Sequence, residues 1–342
     1  MPRVDLLRAI LPLEQEKLHD YLFMVLNDYY EADNIIEADG EYLFVKGDIP
    51  VLLCAHLDTV HKIKPIEEEI YFDQEKQVMW SPGGIGGDDR CGVFIILNLI
   101  FQGYKPHIAF TWNEEIGGVG ARSLSLSLDP KRLDVPINFA IQLDRKGHQE
   151  SVYYDLDSKP FENYINGFGF KTAIGTYTDI CEICPEWGIA GVNLSAGYLH
   201  EHTSRELILL NTLEDTMNKV SQILEDQVAN PKPFEYKELP KTYTNFLNNK
   251  GVVSTTNNNY YYEDYYYGHG YEDEDDYYDN GKYHCIYCGK PTKIENFCQY
   301  QGYEDFCIDC FYDAAPTKRN LLVEATKGLG GNRKHGWVYV CG

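Results

Sequence analysis

The chain has 342 residues, more than one average domain needs, and carries a formal net charge of −23. This charge argues against nucleic acid as a partner of the main domain, because Lys and Arg drive binding to the phosphate backbone. The most apolar run, residues 93–101, is far shorter than the roughly twenty residues of a membrane-spanning helix, so no membrane partner is expected. The N-terminal residues lack the pattern of a signal peptide, and we expect a cytoplasmic protein with reduced cysteines.

Apolar runs of strand length alternate with helical patterns along the first two thirds of the chain. Apolar positions at helical spacing predict a helix within residues 1–30. Strands are predicted at 51–55, 108–112 and 137–141, and further helices at 91–102, 122–128 and 205–226. The alternation predicts an α/β fold with a mixed, mostly parallel central sheet that is flanked by helices.

Composition divides the chain into three predicted parts: a globular domain (1–235), a linker (236–281) and a small cysteine-containing module with a basic tail (282–342). The linker is rich in Tyr, Asp, Glu and Gly, a composition that cannot build a core of its own. We interpret it as a solvated linker, and a Tyr-rich patch that binds a partner is the alternative.

Two acidic motifs follow the first predicted strand. His56 and Asp58 are two residues apart, so on an extended backbone they point the same way, and the carboxylate can orient a metal-bound imidazole. Further on, a glycine-rich stretch leads to Asp88 and Asp89, whose charges repel unless a cation lies near them. Each motif alone also fits a plainer interpretation, a surface hydrogen bond in the first case and a capped glycine turn in the second.

Further candidate ligands follow the later strands. Glu114 and Glu115 come after the strand at 108–112, and such a pair can divide its roles, one holding a metal and the other acting as general base. Asp144 follows the strand at 137–141, and His202 precedes the helix at 205–226. Ligands bind at the carboxyl ends of strands in open α/β sheets, so these groups are expected to share one crevice. Carboxylates and imidazoles together suit divalent ions such as zinc.

The order His-x-Asp, Asp-Asp-Arg-x-Gly, Glu-Glu, Asp and His resembles the co-catalytic di-zinc exopeptidase superfamily over residues 50–210. That superfamily includes leucyl and glutamyl aminopeptidases, peptidase T and the carboxypeptidase G type. The resemblance implies a pair of zinc ions. One is held by His56 and Asp144, the other by Glu115 and His202, and Asp88 bridges the two.

The same resemblance implies Glu114 as the general base and Asp58 as the residue that orients His56. Asp88 is preferred to Asp89 because of its distance from Gly92. His202 is preferred to His200 because Glu206 follows it at the spacing of the family.

The resemblance also implies an activity. Residues 57–87 and 145–201 are too few for the extra domains that some relatives insert there, which indicates a compact, lid-free core typical of aminopeptidases. We therefore expect a zinc-dependent hydrolase that cleaves an amide bond, an aminopeptidase with peptide substrates. The alternatives are an N-acyl amidohydrolase with acyl-amino-acid substrates and a non-catalytic scaffold. The oligomeric state stays open, and a homo-oligomer is compatible with the sequence.

Two pairs of cysteines near the C-terminus predict a zinc ribbon with one structural zinc: Cys285, Cys288, Cys307 and Cys310. Its role is open, and a protein partner is one possibility. Cys181 and Cys184 are expected to share one helix face as a packing pair rather than a redox or metal site. Thr178 and Asp179 are interpreted as a helix cap, and the alternative is a contact with the substrate amine or with a metal ligand.

Overall fold

A computed structural model describes residues 4–239 and four short strand segments further along the chain. The chain divides into two compact units, Met1–Pro240 and Lys241–Gly342. Within the second unit, Tyr283–His284 pairs with Pro291–Thr292, and Phe297–Gln299 pairs with Asp305–Cys307, both in antiparallel fashion.

The predicted four-cysteine site falls largely outside the described residues. Cys285, Cys288 and Cys310 lie there, as does the side chain of Cys307, so the zinc ribbon stays a prediction. Most of the predicted linker lies there too. Its first residues, 236–239, belong to the first unit, where Glu238 forms a bridge with Leu156. The division at 235 and 281 likewise stays a prediction.

The helices of the first unit are α1 (Val4–Ile10), α2 (Gln15–Tyr29), α3 (Gly87–Phe101), α4 (Val119–Ser127), α5 (Lys159–Asn166), α6 (Ile180–Trp187) and α7 (Leu210–Ala229). No helix in the described part of the chain combines the length and the apolar character that a membrane crossing requires. The strands are β1 (Ile35–Ala38), β2 (Tyr42–Val45), β3 (Ile49–His56), β4 (Tyr71–Asp73), β5 (Val78–Trp80), β6 (Pro106–Thr111), β7 (Phe139–Arg145), β8 (Glu150–Val152), β9 (Lys171–Ala173), β10 (Ala190–Ser195), β11 (Tyr198–Leu199) and β12 (Leu207–Leu209).

Eight strands form one mixed sheet in the order β1-β2-β6-β3-β7-β10-β8-β9. Its four central strands, β6, β3, β7 and β10, are parallel to one another. The predicted fold class, a mixed and mostly parallel sheet flanked by helices, is therefore confirmed. Since the central strands are parallel, their carboxyl ends meet at one edge of the sheet.

Hydrophobic clusters cover both faces of this sheet. Val51, Leu53 and Ala55 of β3 point into the larger cluster, which also takes buried residues from α1, α2, α3, α5 and α7. Leu52 and Cys54, the intervening residues, point into the smaller cluster with α4 and α6. Alternation along an extended strand thus places each face against its own helices. Cys184 packs in the smaller cluster as predicted, while Cys181 is half-buried.

A second, antiparallel sheet has the strand order β11-β12-β5-β4. It joins two distant segments of the chain, because Leu207 lies opposite Trp80 and Ile208 lies opposite Met79. The segment that leads from β5 towards Asp88 therefore runs beside the segment that carries His202 between β11 and β12.

Several predicted elements differ in their bounds from those observed. The helix predicted within residues 1–30 is observed as α2, and a second helix, α1, precedes it. Pro12 lies between the two, where it has no N–H for a helical hydrogen bond. The helix predicted from 205 begins at Leu210, because residues 207–209 pair with β5 as a strand. The strand predicted at 137–141 begins at Phe139 and extends to Arg145.

We expect Gly120→Ala to destabilise the first unit by about 1–3 kcal/mol through overpacking. A Cβ on Gly120 would lie 2.3 Å from the carbonyl oxygen of Glu41 and 2.5 Å from the backbone nitrogen of Trp112. Neither backbone atom can yield without disturbing the contact of α4 with the sheet. Urea denaturation measures the change in the free energy of unfolding.

Gly167→Ala is the matched control, since a Cβ there would meet only the carbonyl oxygens of Tyr164 and Asn163, at 3.1 and 3.4 Å. Its free energy of unfolding should stay within about 1 kcal/mol of the wild-type value. Equal effects of the two substitutions would contradict the close contact at Gly120.

Candidate metal centre

Three neighbouring strands bring the predicted ligands to one edge of the large sheet. His56 is the last residue of β3, and it lies opposite Thr111, the last residue of β6. Glu114 and Glu115 follow β6 within four residues, and Asp144 lies near the end of β7. Parallel pairing of β3 with both neighbours therefore places these side chains at one crevice.

Asp88 lies between two histidines. Its Oδ1 is 3.0 Å from Nε2 of His56, and its Oδ2 is 3.2 Å from Nε2 of His202. His202 Nε2 also lies 3.1 Å from the carboxylate of Glu115, and His56 Nε2 lies 3.5 Å from Oδ1 of Asp144. The structure thus brings all five predicted ligands together, and their roles as ligands stay a prediction.

Asp89 is the sequence alternative to Asp88. It lies within 4.8 Å of donor atoms of His56 and Asp144 and could therefore reach a metal. Both of its oxygens, however, accept backbone hydrogen bonds, one from the N–H of His56 at 3.2 Å and one from the N–H of Gly92 at 2.8 Å. This geometry favours a structural role for Asp89 at the start of α3.

The donor set fits a divalent cation. Nδ1 of His56 is 3.1 Å from Oδ1 of Asp58, so Nδ1–H donates to that carboxylate and Nε2 presents its lone pair. That lone pair faces carboxylate oxygens of Asp88 and Asp144, which are also acceptors. Only a cation or a proton between them reconciles these contacts, and imidazole with carboxylate ligands is a donor set that zinc accepts.

Asp58 holds three neighbours in place at once. Besides His56, it accepts the backbone N–H of Glu114 and that of Glu115, each at 3.0 Å. Burial alone would raise its pKa, but these hydrogen bonds and the His56 ring lower it. Asp58 is therefore ionised, and it fixes the two glutamates relative to the imidazole.

Two other carboxyl groups of the site, those of Glu114 and Asp144, have raised pKa values, so they favour their protonated form when no cation is present. Burial, reinforced by Asp144 and Asp179, raises the pKa of Glu114 well above its ordinary value. Burial and the neighbouring Asp88 raise the pKa of Asp144 to about 7. Hydrogen bonds to Asp88 and Glu115 raise the pKa of His202 to about 11. The cluster is thus a concentration of negative charge that attracts protons or metal ions.

Asp144 has partners that the sequence did not indicate. Tyr198 donates its hydroxyl to Oδ1 at 3.0 Å, and Asn193 binds the backbone N–H and carbonyl of Asp144 with its amide group. Neither residue belongs to a motif. Asn193 lies on β10 beside β7, whereas Tyr198 lies on β11 of the small sheet, and only knowledge of the strand pairing could have found them.

The helix-cap interpretation of Thr178 and Asp179 is wrong. The side chain of Asp179 makes no capping hydrogen bond to α6, and it accepts instead from the hydroxyl of Thr111 at 2.5 Å. Thr178 donates its hydroxyl to Oδ2 of Asp144 at 2.7 Å. The alternative interpretation, contact with a predicted metal ligand, therefore describes Thr178.

No protein-family model matches the sequence, and no curated protein matches it. Solved structures do match. An aminopeptidase PepT from Bacillus cereus ATCC 10987 is 14% identical, with 66% of this chain and 98% of that chain covered and a TM-score of 0.52. A TET aminopeptidase from Thaumarchaeota archaeon SCGC AB-539-E09 is 14% identical, with 65% and 96% covered and a TM-score of 0.51.

A tripeptidase from Staphylococcus aureus subsp. aureus Mu50 is also 14% identical, with 65% of this chain and 96% of that chain covered and a TM-score of 0.50. At such low identity, these likenesses show the fold alone. The α/β fold implied by the sequence resemblance is confirmed for the first unit, which has the same fold as these peptidases.

We expect the stability of the chelator-treated protein to fall as the pH rises through about 6 to 7. The raised pKa values of Asp179, about 6, and Asp144, about 7, mean that the folded state keeps protons that the unfolded chain has released. The folded state binds more protons in this window, so its stability decreases with increasing pH. Urea midpoints across the pH series measure the effect.

Two controls belong to this series. Asp144→Asn removes one titrating group and should reduce the dependence, and added zinc should reduce the fall because a cation replaces the proton on Asp144. A chelator-treated protein whose urea midpoint rises over the same window would contradict the assigned direction.

Proposed function

We propose that this chain, which has the fold of the zinc exopeptidase superfamily, is a zinc-dependent hydrolase that cleaves amide bonds, an aminopeptidase with peptide substrates. One observation carries the proposal: Asp88 faces His56 with one oxygen and His202 with the other, beside two glutamates. The names of the structural neighbours, aminopeptidases and a tripeptidase, support the choice of peptides.

The proposed ligand assignment follows the contacts. His56 and Asp144 would hold one zinc, Glu115 and His202 the other, and the two oxygens of Asp88 would serve both. When bound, the ions would polarise the amide carbonyl and make a water molecule more acidic. Of the alternatives His200 and His202, the second has the ring that lies against Asp88 and Glu115.

Glu114 is the proposed proton carrier. Its carboxylate has an oxygen within 4.8 Å of the donor atoms of His56 and Glu115, and its backbone is held by Asp58. A raised pKa suits a group that must both accept and return a proton. Glu114 would take a proton from the attacking water, whose oxygen adds to the carbonyl carbon. The same proton would pass to the amine nitrogen as the C–N bond breaks.

The four cysteines described in the first unit support a reducing compartment, which we propose to be the cytoplasm. Cys54, Cys91, Cys181 and Cys184 are all free. Burial raises the pKa of each of these thiols, so they remain protonated and unreactive. Free thiols are typical of compartments that do not form disulfides.

Glu114→Gln should lower kcat on amino-acid amides and short peptides by a factor of about 10²–10⁴, since it removes the proton carrier. Its bound zinc should stay at the wild-type level, because Glu114 is not an assigned ligand. Elemental analysis and steady-state kinetics on the same preparations measure both. Glu186→Gln, a substitution on the exposed side of α6, is the control with unchanged kcat.

Two results would change the proposal. Undiminished activity of Glu114→Gln would remove it from the reaction. A wild-type protein that hydrolyses acyl amino acids but no peptide would replace the aminopeptidase with the N-acyl amidohydrolase alternative.

Zinc stoichiometry tests the proposed cofactors. We expect about three zinc ions per full chain, two at the proposed metal centre and one at the four cysteines. Replacing Cys285 and Cys288 with Ser should remove one ion without loss of hydrolysis. Asp88→Asn should lower the zinc content and abolish hydrolysis. If replacing the two cysteines removes all of the zinc from the full chain, the scaffold alternative is the one that remains.

A further inference from the structure

Glu206 is a fully buried carboxylate at the end of the turn that carries His202. Its side chain has 0% exposure, and three N–H groups donate to it. Oε1 accepts the backbone N–H of Asp88 at 2.9 Å. Oε2 accepts the backbone N–H of Gly86 at 2.8 Å and Nε2–H of His61 at 2.6 Å.

These hydrogen bonds join three segments that are distant in sequence. His61 belongs to the segment after β3, Gly86 and Asp88 to the glycine-rich segment before α3, and Glu206 to the turn before β12. Glu206 and His61 are 145 positions apart. We call Glu206, His61 and the backbone of 86–88 the Glu206 clamp.

Within the Glu206 clamp, the imidazole of His61 packs closely against Gly84. A Cβ on Gly84 would lie 2.2 Å from Cε1 of His61, so a side chain there would displace the ring. Gly84 also has a φ of +101°, which a residue with a side chain rarely adopts. The side chain of His61 is only 8% exposed, and Lys64 donates to its backbone carbonyl at 2.6 Å.

The turn from His202 to Glu206 holds Asp88 from two directions. The ring of His202 lies 3.2 Å from the carboxylate of Asp88, and the carboxylate of Glu206 accepts the backbone N–H of the same residue. The direction in which the Asp88 side chain leaves the backbone is thereby fixed relative to both histidines. The guanidinium of Arg90, also fully buried, lies near enough to offset part of the Glu206 charge.

We propose that Glu206 and His61 are positioning residues of the metal centre, which fix the backbone of Asp88 so that its two oxygens reach both histidines. This inference rests on the proposed zinc site. His61 completes the set of donors that keeps the Glu206 carboxylate in one orientation. Neither residue contacts the reacting atoms, so both act through Asp88.

The amide of glutamine cannot replace the Glu206 carboxylate. Three donors converge on its two oxygens, whereas an amide offers one acceptor oxygen and an NH₂ group that repels a donor. In Glu206→Gln at least one backbone N–H of the glycine-rich segment therefore loses its acceptor, while the size of the side chain is kept. At position 61, by contrast, a glutamine can still donate an N–H to Glu206.

The test measures zinc affinity in the full chain by competition with a chromophoric chelator, together with the urea midpoint. His61→Ala and Glu206→Gln should weaken the zinc that depends on Asp88 by about 10- to 100-fold, the usual effect of losing a partner that orients a ligand. His61→Gln should bind this zinc at close to the wild-type affinity. Asp88→Asn identifies which zinc depends on Asp88.

His107→Gln is the matched control, a buried histidine in β6 at the opposite end from the site. It should lower the urea midpoint without weakening zinc. Wild-type zinc affinity in His61→Ala and Glu206→Gln would overturn the positioning role alone. Equal weakening in His107→Gln would also overturn it, since the effect would then be a general loss of stability. If Asp88→Asn loses no zinc, the metal centre and the positioning role both fall.

Discussion

The structure depends on one electrostatic constraint, the concentration of carboxylates at the carboxyl edge of the parallel strands. Asp58, Asp88, Asp89, Glu114 and Asp144 all lie there, and burial opposes the charge on each. A folded protein tolerates such a cluster only with protons, cations or dense hydrogen bonding. The fold supplies the hydrogen bonding. Carboxylate oxygens of Asp88, Glu115 and Asp144 face the histidines, and a cation fits between them.

Backbone amides do much of the stabilising work. Asp58 accepts two of them, Asp89 accepts two and Glu206 accepts two, so each of these three carboxylates is held by dipoles that belong to the fold itself. Such donors carry no net charge and cannot leave the site. They therefore orient the carboxylates without taking the place of the metal cation. A lysine or an arginine side chain would compete with that cation.

Much of the fold could be predicted from the sequence. β3 and β6 are central strands, and their continuous apolar runs are typical of buried parallel strands. Part of the site followed from strand order, since His56, Glu115 and Asp144 lie at or just after the ends of strands of the same parallel group. Asp88 and His202 followed from motif order alone. Features set by long-range pairing could not be predicted. Residues 207–209 have helical periodicity but pair with β5, Tyr198 belongs to no motif, and His61 meets Glu206 across 145 positions. Local patterns carry no information about such partners.

The small antiparallel sheet determines where the chain tolerates changes in length. Its β5–β12 ladder sets the spacing between the segment of Asp88 and the segment of His202, through the register of Trp80 with Leu207. A single inserted residue between His202 and Leu207 would displace the imidazole from the bridging carboxylate. Residues added to the turn at 74–77, which lies at the far end of β4 and β5, would leave that register intact. Length variation among homologues should therefore be concentrated in this turn.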